Sequence, residues 1–228
     1  MKIFGIQKLT LIDYPGKAAA SVFLSGCDFR CPYCHNYDFL DLGGVSLVDD
    51  CEVIDFLKSR QKLLDGVCIS GGEPLLQEGI IDFIAEIKAL GFDVKLDTNG
   101  QHPAVLKQLV ERKLLDYVAL DIKSSLQNYG NCAGIQKFDT SRVEESADFL
   151  ISGTVPYEFR TTVVRELHKA GDFHLIGQRF KGAEKYYLQT FKNSEGVPEN
   201  NFTAYSIAEM NDFCNILSKY MVAVGLRE

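Results

Sequence analysis

The sequence predicts an α/β protein built on a parallel sheet with crossover helices, and three observations carry that expectation. From Ala18 onward, short apolar, β-branched or aromatic runs alternate with longer stretches of helical period. Gly, Asn and paired charges repeatedly follow the apolar runs, as they do at the rim of such a sheet. The length of 228 residues, with no low-complexity tract or Pro/Ser/Gly-rich linker, suits a single domain spanning 1–228 that buries roughly 70% of its unfolded surface.

The first strand is AAASVFLSG, residues 18–26. Asp49 and Glu52 resemble a capping box ahead of Val53, Phe56 and Leu57, so a helix is expected over 49–60. VCIS, residues 67–70, is the second strand. Ile80, Phe83, Ile84, Ile87 and Leu90 mark a helical face that stops at Gly91. FDVKLD is the third strand. The Asn-Gly pair after it suits a hairpin turn, but Val105, Leu106, Leu109 and Val110 follow a helical period, which gives strand, loop, helix. YVALDI, residues 117–122, is strand four; Ser141 and Glu144 then cap a helix that runs through Leu150. YEFRTTVV and KYYLQTF are strands five and six, and a helix over 206–220 and a short MVAVGL run close the chain. Six β/α units result.

The first residues, MKIFGIQKLTLIDYPGK, lack the layout of a secretion signal, and no apolar run approaches the ~18 residues needed to cross a bilayer, so a cytoplasmic protein is expected. A net charge of −7 without a Lys/Arg block argues against nucleic acid as a partner. Seven cysteines, three of them (Cys27, Cys31 and Cys34) within eight residues, read as metal or redox chemistry and not as disulfides. Two readings of the three stay open on spacing. With His35 they would make a zinc knuckle, although zinc rarely takes neighbouring residues. Alternatively they hold three irons of a 4Fe-4S cluster and leave the fourth open to a ligand.

CxxxCxxC just after a first strand, with Tyr33 before the last cysteine, resembles the radical S-adenosylmethionine enzymes, and SGGEPLL after strand two strengthens the likeness. GIQKLTLIDYPGK, CPYCHN, DTNG and LDIK are similar to the glycyl-radical enzyme activating proteins, most of all the anaerobic ribonucleoside-triphosphate reductase activating type. The resemblance implies a partial (β/α)6 barrel and a 4Fe-4S cluster on Cys27, Cys31 and Cys34, which carry catalysis through it. It implies S-adenosylmethionine bound through Tyr33, Gly71, Gly72, Glu73, Pro74, Thr98, Asn99, Asp121, Lys123, Arg160 and Gln189. Gly71 and Gly72 would let main chain approach the methionine amino group because they lack Cβ atoms. Asp97, Thr98 and Asp121 are implied as holders of a monovalent cation.

The implied reaction is reductive cleavage of S-adenosylmethionine to a 5′-deoxyadenosyl radical that makes a glycyl radical on a partner, with a flavodoxin- or ferredoxin-type electron donor. The alternatives are a small-molecule enzyme like 7-carboxy-7-deazaguanine synthase and a non-catalytic zinc-binding module. Two departures stand out: no second cysteine cluster precedes the helix near Asp49, and VVREL after Arg160 lacks the Pro-Gly of relatives. Cys51, Cys68 and Cys214 are expected as small core residues and Cys132 in a more exposed loop. His102, His168 and His174 are expected as surface or capping residues, with His35 near the cluster but not a ligand. Asp121 and Lys123, two apart on a strand, share a face.

Overall fold

The computed structural model describes residues 1–40, 46–194, 196–199 and 201–227. Among them, eight strands follow chain order in one open sheet, so the α/β class is as expected. Contacts divide the chain into two compact units: 1–28, 38–98 and 102–119 form the first, and 29–37, 99–101 and 120–228 the second.

In the first unit, β2 (Ala19–Leu24), β3 (Gly66–Gly71) and β4 (Asp93–Thr98) are parallel, with Ala19 opposite Gly66 and Gly66 opposite Asp93. Their runs are almost wholly buried because both faces of a parallel sheet are covered, which is why they read so plainly. The connecting helices are α1 (Asp50–Lys58), α2 (Ile80–Ala89) and α3 (Pro103–Glu111), and α2 stops before Gly91, whose φ is +90°. A further strand, β1 (Ile3–Thr10), pairs antiparallel with β2 and was not expected. Register shifts between Ile3 and Gly5 and between Gln7 and Thr10 break its alternation, which hides the period-two signal.

β5 (Tyr117–Asp121) straddles the division after Ala119. In the second unit β6 (Tyr157–Val163), β7 (Lys185–Thr190) and β8 (Ala223–Arg227) are parallel, so the MVAVGL run supplies a strand. Helices α4 (Tyr129–Ala133), α5 (Ser141–Ile151), α6 (Ala170–Arg179) and α7 (Ile207–Leu217) accompany them, and Ser206 and Glu209 form a capping box on α7. An aromatic core fills this unit: Phe159 packs edge-on against Phe180 and Tyr186, and Phe173 stacks on Phe213 at 4.4 Å.

Several expectations need correction. Asp49 occupies the N-cap of α1 but makes no side-chain cap bond. The N-cap of α5 is Thr140 and not Ser141, and Glu144 accepts from the Thr140 hydroxyl at 2.7 Å. Cys51 is exposed because the buried stripe of α1 is Val53, Ile54 and Leu57, and Cys214 flanks the stripe of α7 and is only half-buried. Cys132 lies in α4, fully buried, and His168 is fully buried too. No described helix is long and apolar enough to cross a membrane.

Candidate active site

In the first unit the site is built on close backbone approach. The turn after β3 docks on the end of β2: the Gly72 amide donates to the Leu24 carbonyl at 2.8 Å and the Glu73 amide to the Gly26 carbonyl at 2.7 Å, one residue before Cys27. A Cβ on Gly71 would come within 3.0 Å of the Leu24 carbonyl carbon, and one on Gly72 within 2.7 Å of the Gly26 carbonyl carbon. These glycines are therefore required by the neighbouring strand end, whatever ligand the turn receives. Gln77 braces the same segment, its amide donating to the Ser25 carbonyl at 2.6 Å while its oxygen accepts from the Lys2 amide at 3.0 Å.

Glu73 is fully buried, and one oxygen accepts from the Leu75 amide at 3.0 Å and from the Thr98 hydroxyl at 2.8 Å. It caps the short turn Pro74–Leu76, which Pro74 opens, so Glu73, Pro74 and Thr98 form one rigid corner. On the inner rows of β3 and β4, Asp97 accepts from Ser70 at 3.1 Å and pairs with Lys95, a lysine only 1% exposed. His102 bonds Asp28 at 2.9 Å, next to Cys27, so it is a partnered side chain and not a bare surface one.

In the second unit Cys31 and Cys34 lie in a turn closed by the Cys34 amide donating to the Cys31 carbonyl at 3.1 Å. The start of this turn is fixed to α4, with the Arg30 amide donating to the Ala133 carbonyl at 2.8 Å. Burial pushes the Cys31 thiol up to about 11 against the pull of Lys123, and burial also raises Cys34. Tyr33 is buried, and its hydroxyl has no hydrogen-bond partner among the described residues.

Asp121 accepts from Arg160 at 2.9 Å and from Lys123 at 3.2 Å, so the two residues expected to share a face are joined by Arg160 in a triad. Burial works to raise the Asp121 carboxyl, yet Arg160 and then Lys123 outweigh it and hold it at about 2. Lys123 is opposed by burial but kept well above its ordinary value by Asp121 and then Cys31. His168 fixes the Lys123 main chain: its Nδ1 accepts from the Val164 amide at 3.0 Å, which leaves Nε2–H to donate to the Lys123 carbonyl at 2.8 Å. Burial lowers its pKa, so it stays the neutral tautomer those bonds require. Asn99 is buried and accepts from the Gln101 amide at 3.0 Å. Gln189 lines a cavity of about 360 Å³ at the ends of β6 to β8.

Sequence reasoning missed Gln77, Lys95 and His168, none of which sits in a recognisable motif. All seven cysteines are thiols. Among the described residues no group of three or more His, Cys, Asp or Glu converges on a point suited to a single metal ion. Three thiolates on one iron–sulfur cluster need no such convergence, because each binds a different iron.

The radical SAM superfamily profile matches residues 21–176. A Methanocaldococcus jannaschii protein, provisionally named a glycyl-radical enzyme activating enzyme, is 34% identical over 233 residues, covering 99% of this chain and 95% of that protein. The pyruvate formate-lyase 1-activating enzyme of Escherichia coli K12 is 31% identical over 188 residues, 75% of this chain and 74% of its own length. In fold, Streptococcus suis SuiB bound to precursor peptide SuiA aligns with a TM-score of 0.73 at 12% identity, over 90% of this chain and 48% of that one. That likeness agrees with a partial (β/α) barrel, and the profile covers well over half the chain, cysteine loop and Gly-Gly-Glu-Pro turn included. The chain belongs to the radical SAM superfamily, whose members use a 4Fe-4S cluster and S-adenosylmethionine.

Proposed function

We propose that residues 1–228 work as one domain that activates a glycyl-radical enzyme, an anaerobic ribonucleoside-triphosphate reductase, with a flavodoxin- or ferredoxin-type donor in the cytoplasm. The observation that carries this reading is the end-to-end match, over 99% of the chain, to a relative named for glycyl-radical enzyme activation.

The residues present fit the cofactors. Cys27, Cys31 and Cys34 offer three thiols on one short loop, and the partnerless, buried Tyr33 hydroxyl suits a polar group arriving with a ligand. When bound, the cluster and S-adenosylmethionine supply the one-electron cleavage and the hydrogen-abstracting 5′-deoxyadenosyl radical. The protein orients and insulates. Glu73 and Thr98 hold the Gly71–Gly72 main chain in place for the methionine amino group, and Asn99 stands ready for the ribose or carboxylate. Lys123 places positive charge beside Cys31, of which Asp121, itself bonded by Arg160, neutralises part. A monovalent cation at Asp97, Thr98 and Asp121 would have to compete with Lys95, Lys123 and Arg160, so none is assigned.

The test mixes the reduced, cluster-loaded protein with S-adenosylmethionine and the anaerobic ribonucleotide reductase of the same organism. An electron paramagnetic resonance doublet from a glycyl radical is expected, absent with Cys31→Ala. No doublet together with turnover of a pterin would replace this reading with the 7-carboxy-7-deazaguanine synthase-like one.

A further inference from the structure

We infer that the Lys95 ammonium is a built-in replacement for the monovalent cation that the family resemblance implies, so that S-adenosylmethionine binding by this chain needs neither potassium nor sodium. The inference rests on membership of the superfamily and not on which partner is activated.

The donors that a cation would need in the first unit are already engaged. Asp97 uses both carboxylate oxygens: Oδ1 pairs with Lys95 Nζ, and Oδ2 accepts from the Ser70 hydroxyl at 3.1 Å. Thr98, next in the chain, gives its hydroxyl proton to Glu73 at 2.8 Å. The ammonium also reaches the Cys68 sulfur at 3.8 Å, and Cys68 stands opposite Lys95 in the register of β3 and β4. A hard ion such as potassium binds oxygen and gains little from a thiol. A second positive charge on Asp97 would also lie beside the first with little water to screen them, since the Lys95 side chain is 1% exposed and that of Asp97 15%.

Nor can the lysine step aside for an ion. Swung off Asp97, its ammonium would be a buried charge without a counter-ion, on a level of the sheet that it shares with the fully buried Cys68 and Ser21. A tethered charge therefore stands where a diffusible one would bind. It neutralises Asp97 and holds that carboxylate beside Ser70, and Asp97 leads directly into Thr98, whose bond to Glu73 closes the corner proposed for the methionine amino group. Lys95 is thus a positioning residue, acting through Asp97 and the end of β4. Its desolvation is met once, during folding, so the charge is not lost when salt is diluted.

The experiment measures equilibrium binding of radiolabelled S-adenosylmethionine to the anaerobic, cluster-loaded protein, and the melting temperature of the apo-protein, in potassium, sodium, ammonium or choline chloride at one ionic strength, so that screening is constant. The unmodified protein should bind equally, within about 2-fold, in all four salts. Lys95→Ala should bind about 10-fold more weakly in choline, the loss expected for one charge-assisted bond, and potassium or ammonium should bring it back to within about 3-fold of wild type while raising its melting temperature. Lys95→Met, which fills the space without the charge, should be weakened as much and gain nothing from any salt. An unmodified protein whose affinity rises by about 5-fold or more between choline and potassium would overturn the inference. So would a Lys95→Ala variant that binds like wild type in choline, one that no small cation restores, or equal restoration of Lys95→Met. The salt series on the unmodified protein requires no variant, and it decides the question by itself if Lys95→Ala does not fold.

Discussion

Replacing Gly72 by alanine tests whether the β3 turn is welded to the end of β2. Gly72 has no left-handed φ, so the substitution is a steric probe and not a backbone-strain probe. Its new Cβ would sit 2.7 Å from the Gly26 carbonyl carbon and closer still to the oxygen, where carbon contacts prefer about 3.5–4.0 Å. The carbonyl cannot swing away, since it accepts the Glu73 amide at 2.7 Å and the preceding carbonyl is held by Gln77 at 2.6 Å. Relief requires the strand ends to part by about 1 Å, which costs ~2 kcal/mol of overpacking and ~1 kcal/mol for each of the two bonds from Gly72 and Glu73. A loss near 4 kcal/mol lowers the melting temperature of a chain this long by ~8–16 °C. Scanning calorimetry of the anaerobic apo-protein reads this, with Gly5→Ala as control because nothing lies within 4 Å of the added atom. If Gly72→Ala melts within about 2 °C of wild type while Gly5→Ala does the same, the close approach is not a constraint and the reasoning fails.

Three more outcomes are expected. Asp121 has a folded pKa of about 2 against an ordinary 3.8, so its stabilising contribution is present above pH 4 and is lost as pH falls through 2. Asp121→Asn should lower stability at pH 7, by leaving Arg160 and Lys123 without their carboxylate, and should flatten the acid limb of a urea-midpoint profile; an unchanged limb would show the triad is not formed. Ala at Cys27, Cys31 or Cys34 should abolish the iron content and visible absorption of anaerobically purified protein, while Cys51→Ala retains both; a full complement in Cys34→Ala sinks the ligand assignment. In the native apo-protein a thiol reagent should label Cys51 fastest and leave Cys68 and Cys132 unmodified until unfolding, as mass spectrometry of peptides would show.

What could be read from the chain was what is local. Strands β2, β3 and β5 announce themselves because burial on both faces makes them nearly continuous apolar runs. The cysteine loop and Gly-Gly-Glu-Pro turn were legible because their spacing is a property of a few consecutive residues. β1 was not, since its bulges spoil the alternation. Nor were Gln77 and His168, whose partners Ser25 and Lys123 lie 52 and 45 residues away in sequence. Lys95 gave no signal, since a lysine in a strand ordinarily faces solvent and only the row shared with Cys68 and Asp97 accounts for a buried ammonium. Gly71 and Gly72 were singled out for the approach of a ligand, while the steric demand of the β2 end leaves no trace in the motif, because Leu24 and Gly26 lie dozens of residues earlier.

Gly134 is the counterpart of Gly72. A side chain there would press within 3.2 Å of the Arg30 Cα, at a residue whose φ is +69°. Within the second unit, then, the segment that leads into Cys31 is seated on the end of α4 through the Arg30 backbone, much as Gly26 within the first unit is seated on the β3 turn. Gly134→Ala should therefore dislodge the Arg30 amide from the Ala133 carbonyl, and with it the start of the turn that carries Cys31 and Cys34.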